Sequence, residues 1–394
     1  MRCSAKDLKK ALDTIGPAVS KAPHDEKIES DFVRVVVNSD HTVDLYGASA
    51  DIIITTRIGC TADKPFEFIV KATQFKNIVS RLPGEISIVK RYNEVSIKSS
   101  RSEYVINSID IFPDIPKLTT KGSVTANAGI AEGILKRVKI CALPKPTKPE
   151  LHGVMIHIGN EFIEFCATDA VRVAYEWTEA AGENRGAGTI SLSAAKLIEK
   201  FCKDASKKGK DAVVHFTIGK RYLLFVAYPH FILAKLIEKD RFLDIGKLVP
   251  KTFSVSGTVS VNEIISSLNQ AENILRDSVD PGAVINIMHN PDGQSSLTVE
   301  AKNEYSRSKM TESIDAVTVT GKTDTKSGVE QHNERLYSSE VKVNAGIIKD
   351  MISVLGDQKD STVTISLPDH PALPVVIESP KHKNYRGLIM GMIE

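Results

Sequence analysis

The sequence lacks long hydrophobic runs, paired cysteines and a high aromatic content. No segment reaches the ~18 uninterrupted apolar residues of a membrane-spanning helix. Charges interrupt the N-terminal sequence MRCSAKDLKKALDTIG where a secretion signal needs an apolar stretch. The five cysteines form no Cys-x-x-Cys pair and their number is odd. We therefore expect reduced, mostly buried thiols in a cytoplasmic protein, with neither disulfides nor a cysteine-bound metal.

Motifs of catalysis are also missing. The chain has no Gly-x-Ser-x-Gly, Walker loop, His-Glu-x-x-His or Cys/His ligand cluster. His152 and His157 are five positions apart, an odd separation that places them on opposite faces of a strand and argues against a shared metal. An enzyme using Asp169 and Arg172 remains a hypothesis, although Thr168-Asp169 matches no nucleophile motif. We expect no enzymatic activity, no cofactor and no metal.

The chain does contain one order of predicted helices and strands that occurs three times. At 394 residues it fits two or three domains. Apolar residues at helical spacing predict six helices, and alternating apolar residues between them predict short strands. Each repeat has two amphipathic helices that must cover one side of its sheets, so we predict α+β domains. The predicted helices cover residues 4–15, 71–82, 127–141, 193–205, 261–275 and 344–355.

The spacing of corresponding helices supports a true repeat. Phe75 and Leu197 are 122 residues apart, whereas Leu197 and the matching Ile348 are 151 residues apart. A polar stretch at 321–335, GKTDTKSGVEQHNER, accounts for the excess as a loop inserted in the third copy. This self-similarity indicates three equivalent units. We place the domains at residues 1–122, 123–250 and 251–394.

Net positive charge is concentrated in the predicted helices, and the remainder of the chain is net negative. The helices and their immediate flanks carry a net charge of +10, against +2 for the whole chain. A single lysine-rich helix face is usually just solvated, but segregation over most of six helices suggests a surface that attracts a polyanion. No aromatics interleave these basic residues and no base-reading motif is present, so we predict binding to backbone charge without base readout.

The central stretch 151–177, LHGVMIHIGNEFIEFCATDAVRVAYEW, carries the most specific motif. Its Leu-x-Gly, followed by Ala-Thr-Asp-x-x-Arg, resembles the middle domain of the bacterial sliding clamp, the β subunit of DNA polymerase III. The segments KATQFKNIVSRLPGEI and AKLIEKDRFLDIGKLVP and the ending LIMGMIE are similar to the first domain's helix, the end of the second domain and the terminus of that family.

This resemblance implies a DNA clamp fold: three tandem clamp domains per subunit, two subunits joined head to tail, and a closed ring around duplex DNA. It also implies that polymerases and clamp-loader subunits dock short Gln-Leu-x-Leu-Phe-like peptides in an apolar cleft. The cleft residues map to Leu151, Thr168, Ala170, Val171, Arg172, Val173, Leu243, Lys247, Leu248, Leu388, Met390, Gly391 and Met392. Arg172 is expected to lay its alkyl stem along this cleft.

Two further residue sets follow from the resemblance. The dimer contact maps to Tyr104, Ile106, Ile274 and Leu275, for which ordinary packing inside one domain is the alternative. The candidate DNA-facing residues are Lys71, Lys76, Arg81, Lys136, Arg137, Lys139, Lys196, Lys200, Lys203 and Lys207, each of which could also be merely solvated. The loop 144–149, PKPTKP, stands where the family touches DNA.

The chain departs from the family inside the cleft. Ala170-Val171 replaces the usual Gly-His, Leu243 and Gly391 replace prolines, and Ile393-Glu394 replaces a basic-apolar ending. Our main hypothesis is a processivity factor that slides on duplex DNA and tethers a replicative polymerase. The alternative is a divergent clamp copy that acts as a peptide-binding decoy or resistance paralogue without a main replication role.

Overall fold

The computed structural model describes residues 1–19, 31–116, 122–143, 151, 153–239, 243–289, 295–316, 318–321, 337–356, 360–370 and 372–392. The loops predicted at 144–149 and 321–335 lie outside these residues, apart from residue 321. Within the described residues the α-helices are α1 (Ala5–Ile15), α2 (Ala72–Val79), α3 (Ala128–Val138), α4 (Leu192–Ser206), α5 (Ile245–Leu248), α6 (Val261–Leu275) and α7 (Ala345–Ser353). None of these helices is long and apolar enough to cross a membrane.

The strands are short and all of the paired ones run antiparallel. The first thirteen are β1 (Arg2–Ser4), β2 (Phe32–Val37), β3 (Thr42–Ala48), β4 (Ile52–Gly59), β5 (Phe66–Lys71), β6 (Glu85–Arg91), β7 (Glu94–Lys98), β8 (Glu103–Asn107), β9 (Val124–Asn127), β10 (Val154–Ile158), β11 (Phe162–Thr168), β12 (Arg172–Glu179) and β13 (Gly186–Ile190). The others are β14 (Val213–Ile218), β15 (Tyr222–Ala227), β16 (His230–Lys239), β17 (Phe253–Ser260), β18 (Gly282–His289), β19 (Ser295–Asn303), β20 (Ser308–Asp315), β21 (Thr318–Gly321), β22 (Tyr337–Asn344), β23 (Thr362–Pro368), β24 (Val375–Glu378) and β25 (Arg386–Ile389).

Several helices begin at a polar residue that caps the first turn. The side-chain oxygens of Ser4, Ser191 and Asn344 each accept a hydrogen bond from the amide three residues further on, at 3.1 to 3.3 Å. Such amides have no partner within the helix, so the caps stabilise the starts of α1, α4 and α7 by about 1 kcal/mol each. The six helices predicted from the sequence are confirmed, each within three residues at either end.

One apolar residue of α3 does not face the core as its spacing predicts. Helical spacing in the sequence predicts that Ile130, Ile134, Leu135 and Val138 point inward from α3, but the side chain of Ile130 is half exposed. The buried stripe of that helix consists of Ala131, Ile134, Leu135 and Val138. Ile130 lies at the edge of this arc, because consecutive helical residues are rotated by about 100°. The long alternating polar strand β20 was not predicted, since it carries almost no apolar signal.

The chain packs as two compact units. Unit 1 comprises residues 1–132, 158–161 and 180–240. Its larger sheet has the order β5-β2-β3-β4-β16-β15-β14-β9, with β13 paired to the end of β16, and its smaller sheet has the order β1-β6-β7-β8. Helix α1 buries Leu8, Leu12 and Ile15, and Phe68 meets Phe75 edge to face at 5.9 Å between ring centroids.

Unit 2 comprises residues 133–157, 162–179 and 241–394. Its larger sheet has the order β11-β12-β25-β24-β23-β17-β21, and its smaller sheet the order β20-β19-β18-β22. In each unit the larger sheet joins strands from two predicted copies, through the β4–β16 pair in unit 1 and the β12–β25 pair in unit 2. Domain boundaries at residues 122 and 250 therefore stay a prediction.

Candidate functional site

The turn between β11 and β12 is held by its own side chains. Asp169 accepts hydrogen bonds from the backbone amides of Val171 and Arg172, at 3.0 and 2.9 Å. The Thr168 hydroxyl donates to the carbonyl of Arg172 at 2.8 Å and accepts from the amide of Ala170 at 3.1 Å. Ala170 has φ 75°, a left-handed conformation that alanine rarely adopts. The side-chain bonds therefore impose the shape of this turn.

Arg172 fixes this turn to two other elements of unit 2. Its Nε donates to Asp169 at 2.9 Å, its Nη2 donates to the carbonyl of Ile140 at 3.0 Å, and its Nη1 lies 3.4 Å from a carboxylate oxygen of Asp350 on α7. Only 13% of the side chain is exposed. The head group is thus enclosed by these partners, and its contacts hold the loop between β11 and β12 in place.

A buried apolar cluster lies next to this turn, on one face of the sheet. We call it the cleft floor, and its buried members are Met155, Cys166, Ile245, Val376 and Leu388. Val173, Tyr175, Leu243, Val249 and Phe253 are partly buried and pack against it. The structure thus gathers the predicted residues Val173, Leu243 and Leu388. It adds residues that the motif did not reveal, because an alternating strand shows which residues share a face but not which other strands complete it.

The edge of the cleft floor is apolar and exposed. Val171, Leu248 and Met390 expose 44%, 37% and 40% of their surface. The amide of Met390 donates to the carbonyl of Val171 at 2.9 Å, which continues the pairing of β25 with β12 beyond the end of the strand. Exposed side chains of this kind beside an apolar floor suit the docking of a short peptide.

Four other predicted cleft residues are not members of the cleft floor. The Lys247 side chain is 83% exposed and pairs with Asp244 at 3.1 Å. Leu151 and Gly391 are half-buried. The amide of Met392 donates to the carbonyl of Lys342 at 2.8 Å, and Met392 lines a separate cavity of about 870 Å³ together with Val279.

The candidate DNA-facing residues are mostly exposed, with one correction. Arg137 is buried, and its guanidinium makes a two-pronged ion pair with Glu176, at 2.7 Å for both contacts. It therefore cannot belong to an exposed basic surface. Lys139 is half-buried. The exposed members are Lys71, Lys76, Arg81, Lys136, Lys196, Lys200, Lys203 and Lys207.

Some of these lysines lie beside carboxylates. Lys76 pairs with Asp13 at 2.7 Å, and Lys207 pairs with Asp204 at 2.9 Å. Exposed pairs of this type contribute little to stability, about 0–1 kcal/mol, and both partners can exchange for other ions. The lysines therefore stay available to a polyanion.

Helices α1 and α4 line a cavity of about 680 Å³ in unit 1. Lys10, Lys200 and Lys208 stand at its wall, and the His230 ring lies inside it, stacked on Phe201 with 5.1 Å between ring centroids. The ring shares a 2.8 Å hydrogen bond with the hydroxyl of Thr56. Burial, together with the nearby ammonium groups of Lys208 and Lys10, lowers the pKa of His230 to about 4.

This depressed pKa predicts a loss of stability in acid. Between about pH 6.5 and pH 4 the unfolded ring takes up a proton that the folded ring refuses, so protonation favours unfolding. We expect His230 to cost roughly 1–2 kcal/mol of unfolding free energy over this range, allowing for solvent screening of a partly exposed ring. Urea unfolding at pH 7 and pH 4.5 should show the loss in the wild type and a smaller loss in His230→Gln. Equal losses in both proteins would contradict the assignment.

The four predicted dimer-contact residues divide between exposed and buried positions. Tyr104 is 36% exposed on β8, the edge strand of the smaller sheet of unit 1. Ile106, on the same strand, and Leu275, at the end of α6, are buried, while Ile274 is half-buried. The edge position of β8 leaves backbone groups open to another strand, as a contact between chains requires.

The described residues contain no cluster of three or more His, Cys, Asp or Glu that could hold a metal ion. All five cysteines are free, and only Cys60 is not buried. Burial raises the pKa of the Cys141, Cys166 and Cys202 thiols, so these groups stay protonated and unreactive.

Comparison with known proteins supports the resemblance seen in the sequence. No family model matches the chain. The beta sliding clamp of Synechococcus elongatus is 20% identical over 71% of this chain and 77% of the relative, and a beta sliding clamp homolog, GriR, of Streptomyces muensis is 22% identical over 61% of this chain and 65% of the relative.

Solved structures of the same kind align over the whole chain. The DNA polymerase III subunit beta of Pseudomonas aeruginosa has a TM-score of 0.80 at 15% identity, covering 100% of this chain and 99% of that one. The sliding clamp of Bacillus subtilis has a TM-score of 0.80 at 18% identity, covering 100% and 98%. The predicted resemblance is confirmed: the chain has the fold of the DNA polymerase III β subunit.

Proposed function

We propose that this protein is a DNA sliding clamp, a processivity factor that encircles duplex DNA and tethers a replicative polymerase and other replication or repair proteins. The observation that carries the proposal is the cleft floor with its exposed edge, at the position where the resembling family docks partner peptides. Curated relatives named as sliding clamps and a fold shared over the whole chain support it. The mechanism is topological linkage, with a tethered polymerase rebinding at high effective concentration.

Two identical chains would close the ring head to tail. Each chain has an edge strand with an exposed tyrosine, Tyr104 on β8, and an apolar helix end at Ile274 and Leu275. A contact formed by two different patches of the same chain is heterologous, and it closes only if the rotation between copies completes a circle. The exposed lysines of the helices would face the phosphates without reading bases. Loading onto DNA requires a separate ATPase, and we propose no catalytic role for the clamp itself.

Retention on circular DNA tests the ring directly. A clamp loaded onto nicked circular duplex by its cognate loader should stay bound through gel filtration at moderate salt. Linearising the same DNA with a restriction enzyme should release it, because a topological link is lost at a free end. Equal retention on circular and linearised DNA would contradict the proposal.

A polymerase assay separates the main proposal from the alternative. The clamp should lengthen the products that its host's replicative polymerase makes in a single binding event. A protein that stays on circular DNA and binds partner peptides, yet does not lengthen these products, would be a clamp copy without a main replication role. The changed cleft residues Ala170, Val171 and Gly391 are the reason to include this test.

A further inference from the structure

The sheet face that carries the cleft floor continues beyond it. Alternate residues of β11 and β12 share this face, and the strand register pairs Cys166 with Tyr175, Glu164 with Trp177, and Phe162 with Glu179. Cys166 belongs to the cleft floor, so the next two pairs extend the same surface along the strands. We call the side chains of His157, Phe162, Glu164, Tyr175 and Trp177 the flanking strip.

Glu164 is the polar centre of this strip. One of its carboxylate oxygens accepts a hydrogen bond from the Tyr175 hydroxyl at 2.6 Å, and the other lies 2.5 Å from Nδ1 of His157. Burial, followed by the bond to Glu164, raises the pKa of Tyr175, so its hydroxyl stays protonated and keeps donating. The side chain of Glu164 is 18% exposed and that of His157 is 35% exposed. The carboxylate is therefore held in one orientation while it remains reachable from solvent.

Aromatic rings flank this carboxylate. The Phe162 ring meets His157 edge to face at 5.7 Å and Trp177 edge to face at 6.5 Å. Phe162, Tyr175 and Trp177 are half-buried, which leaves part of each ring on the surface. A fixed carboxylate among aromatic rings attracts a cation twice, through its charge and through the ring faces.

Acidic groups lie on the strip itself and beside it on β12, whereas the exposed Lys381 and Lys383 belong to the neighbouring segment whose Asn384 donates to the Trp177 carbonyl at 3.2 Å. Glu179, opposite Phe162 in the register, is exposed. Arg386, opposite Tyr175 on the neighbouring strand, is engaged by Glu378 at 2.8 Å, so its charge is offset. Glu164 and Glu179 thus present acidic groups on a surface that is continuous with the cleft floor. This arrangement is complementary to a basic side chain and opposes an acidic one.

We propose that the flanking strip is a second subsite of the cleft, which binds a lysine or arginine adjoining the apolar motif of the partner peptide. The proposal rests on the proposed function, because the apolar motif must first occupy the cleft. Extended peptide and strand both advance about 3.3 Å per residue, and Val173 and Trp177 are four residues apart on β12. The basic residue should therefore stand about two to four positions from the apolar anchor.

Trp177 provides the measurement, since it is the only tryptophan of the chain. Its fluorescence should change when a peptide reaches the strip. Three peptides share the core Gln-Leu-Ser-Leu-Phe: the core alone, the core extended at both ends by Gly-Arg-Arg, and the core extended by Gly-Glu-Glu. Dissociation constants come from Trp177 emission and, independently, from the anisotropy of a dye on the peptide.

We expect the basic extension to bind about five- to twentyfold more tightly than the core, and the acidic extension to bind more weakly than the core. The difference should shrink as salt rises, because the added contacts are ionic. Glu164→Gln should remove most of the gain while core binding is kept. Glu179→Gln, a change at an exposed position, should remove part of it.

Glu94→Gln is the matched control, since Glu94 is exposed on β7 in unit 1. It should keep the full gain. Equal affinities of the basic and acidic peptides, or a gain that survives both Glu164→Gln and Glu179→Gln, would overturn the proposal. A core peptide that fails to bind the wild type would contradict the cleft itself and this subsite with it. Core binding without a charge effect would contradict the subsite alone.

Discussion

Replacing Arg137 by alanine is expected to lower the free energy of unfolding by about 3–5 kcal/mol. The guanidinium of Arg137 and the carboxylate of Glu176 are 9% and 6% exposed and meet at 2.7 Å. Removing the arginine leaves a carboxylate buried without its partner, which costs far more than an exposed pair contributes. Burial already raises the pKa of Glu176 even with the arginine in place. Urea unfolding followed by circular dichroism would measure the loss.

Lys136→Ala provides the control for this measurement. It removes the neighbouring cation of the same helix, but Lys136 is exposed, so we expect a change within about 0.5 kcal/mol. The double variant Arg137→Met, Glu176→Leu removes both charges and should recover most of the stability. Unfolding of Arg137→Ala at the same urea concentration as Lys136→Ala would show that the buried pair is not formed.

Removing the C-terminal residues Met390 to Glu394 should weaken binding of the core peptide roughly thirtyfold. The segment begins at the exposed edge of the cleft floor, where Met390 bonds to the carbonyl of Val171. Its loss takes away apolar contact surface and the end of the β12–β25 pairing. A loss of about 2 kcal/mol corresponds to a roughly thirtyfold weaker affinity. Titration of the dye-labelled core peptide measures both proteins.

Val279→Ala is the control for the truncation, because Val279 is 83% exposed and is not part of the cleft. It should bind the core peptide like the wild type. A truncated protein that keeps wild-type affinity would show that the peptide docks elsewhere. Thermal unfolding of both variants would confirm that they are folded before binding is compared.

The helices could be predicted well from the sequence because their signals are local. Ser4 and Asn344 precede apolar residues at helical spacing, and the structure shows both side chains capping the helices that follow. The predicted range of α6 matches the structure at both ends. In the central motif, the interruption at Thr168-Asp169 marks a turn whose polar side chains bond to its own backbone.

Contacts between distant segments could not be read in the same way. Arg137 belongs to a basic run with Lys136 and Lys139, so its charge looked like surface. Its partner Glu176 is 39 residues away, on a strand whose other residues are mostly half-buried. Likewise, Val376 joins the cleft floor because β25 lies between β12 and β24 and pairs with both, and Met155 joins it from β10. Which residues of two strands face each other depends on the folded sheet, and it cannot be predicted from the periodicity of one segment.

The left-handed turn at Ala170 is formed without a glycine. Glycine is usual at this position in the resembling family, and its backbone freedom makes the turn inexpensive there. Here Thr168 and Asp169 supply four hydrogen bonds to the turn and its flank, which holds the same kind of shape with a methyl group present. The turn's geometry is therefore encoded redundantly. The shape of the turn in this chain therefore rests on the Thr168-Asp169 pair and does not require a glycine.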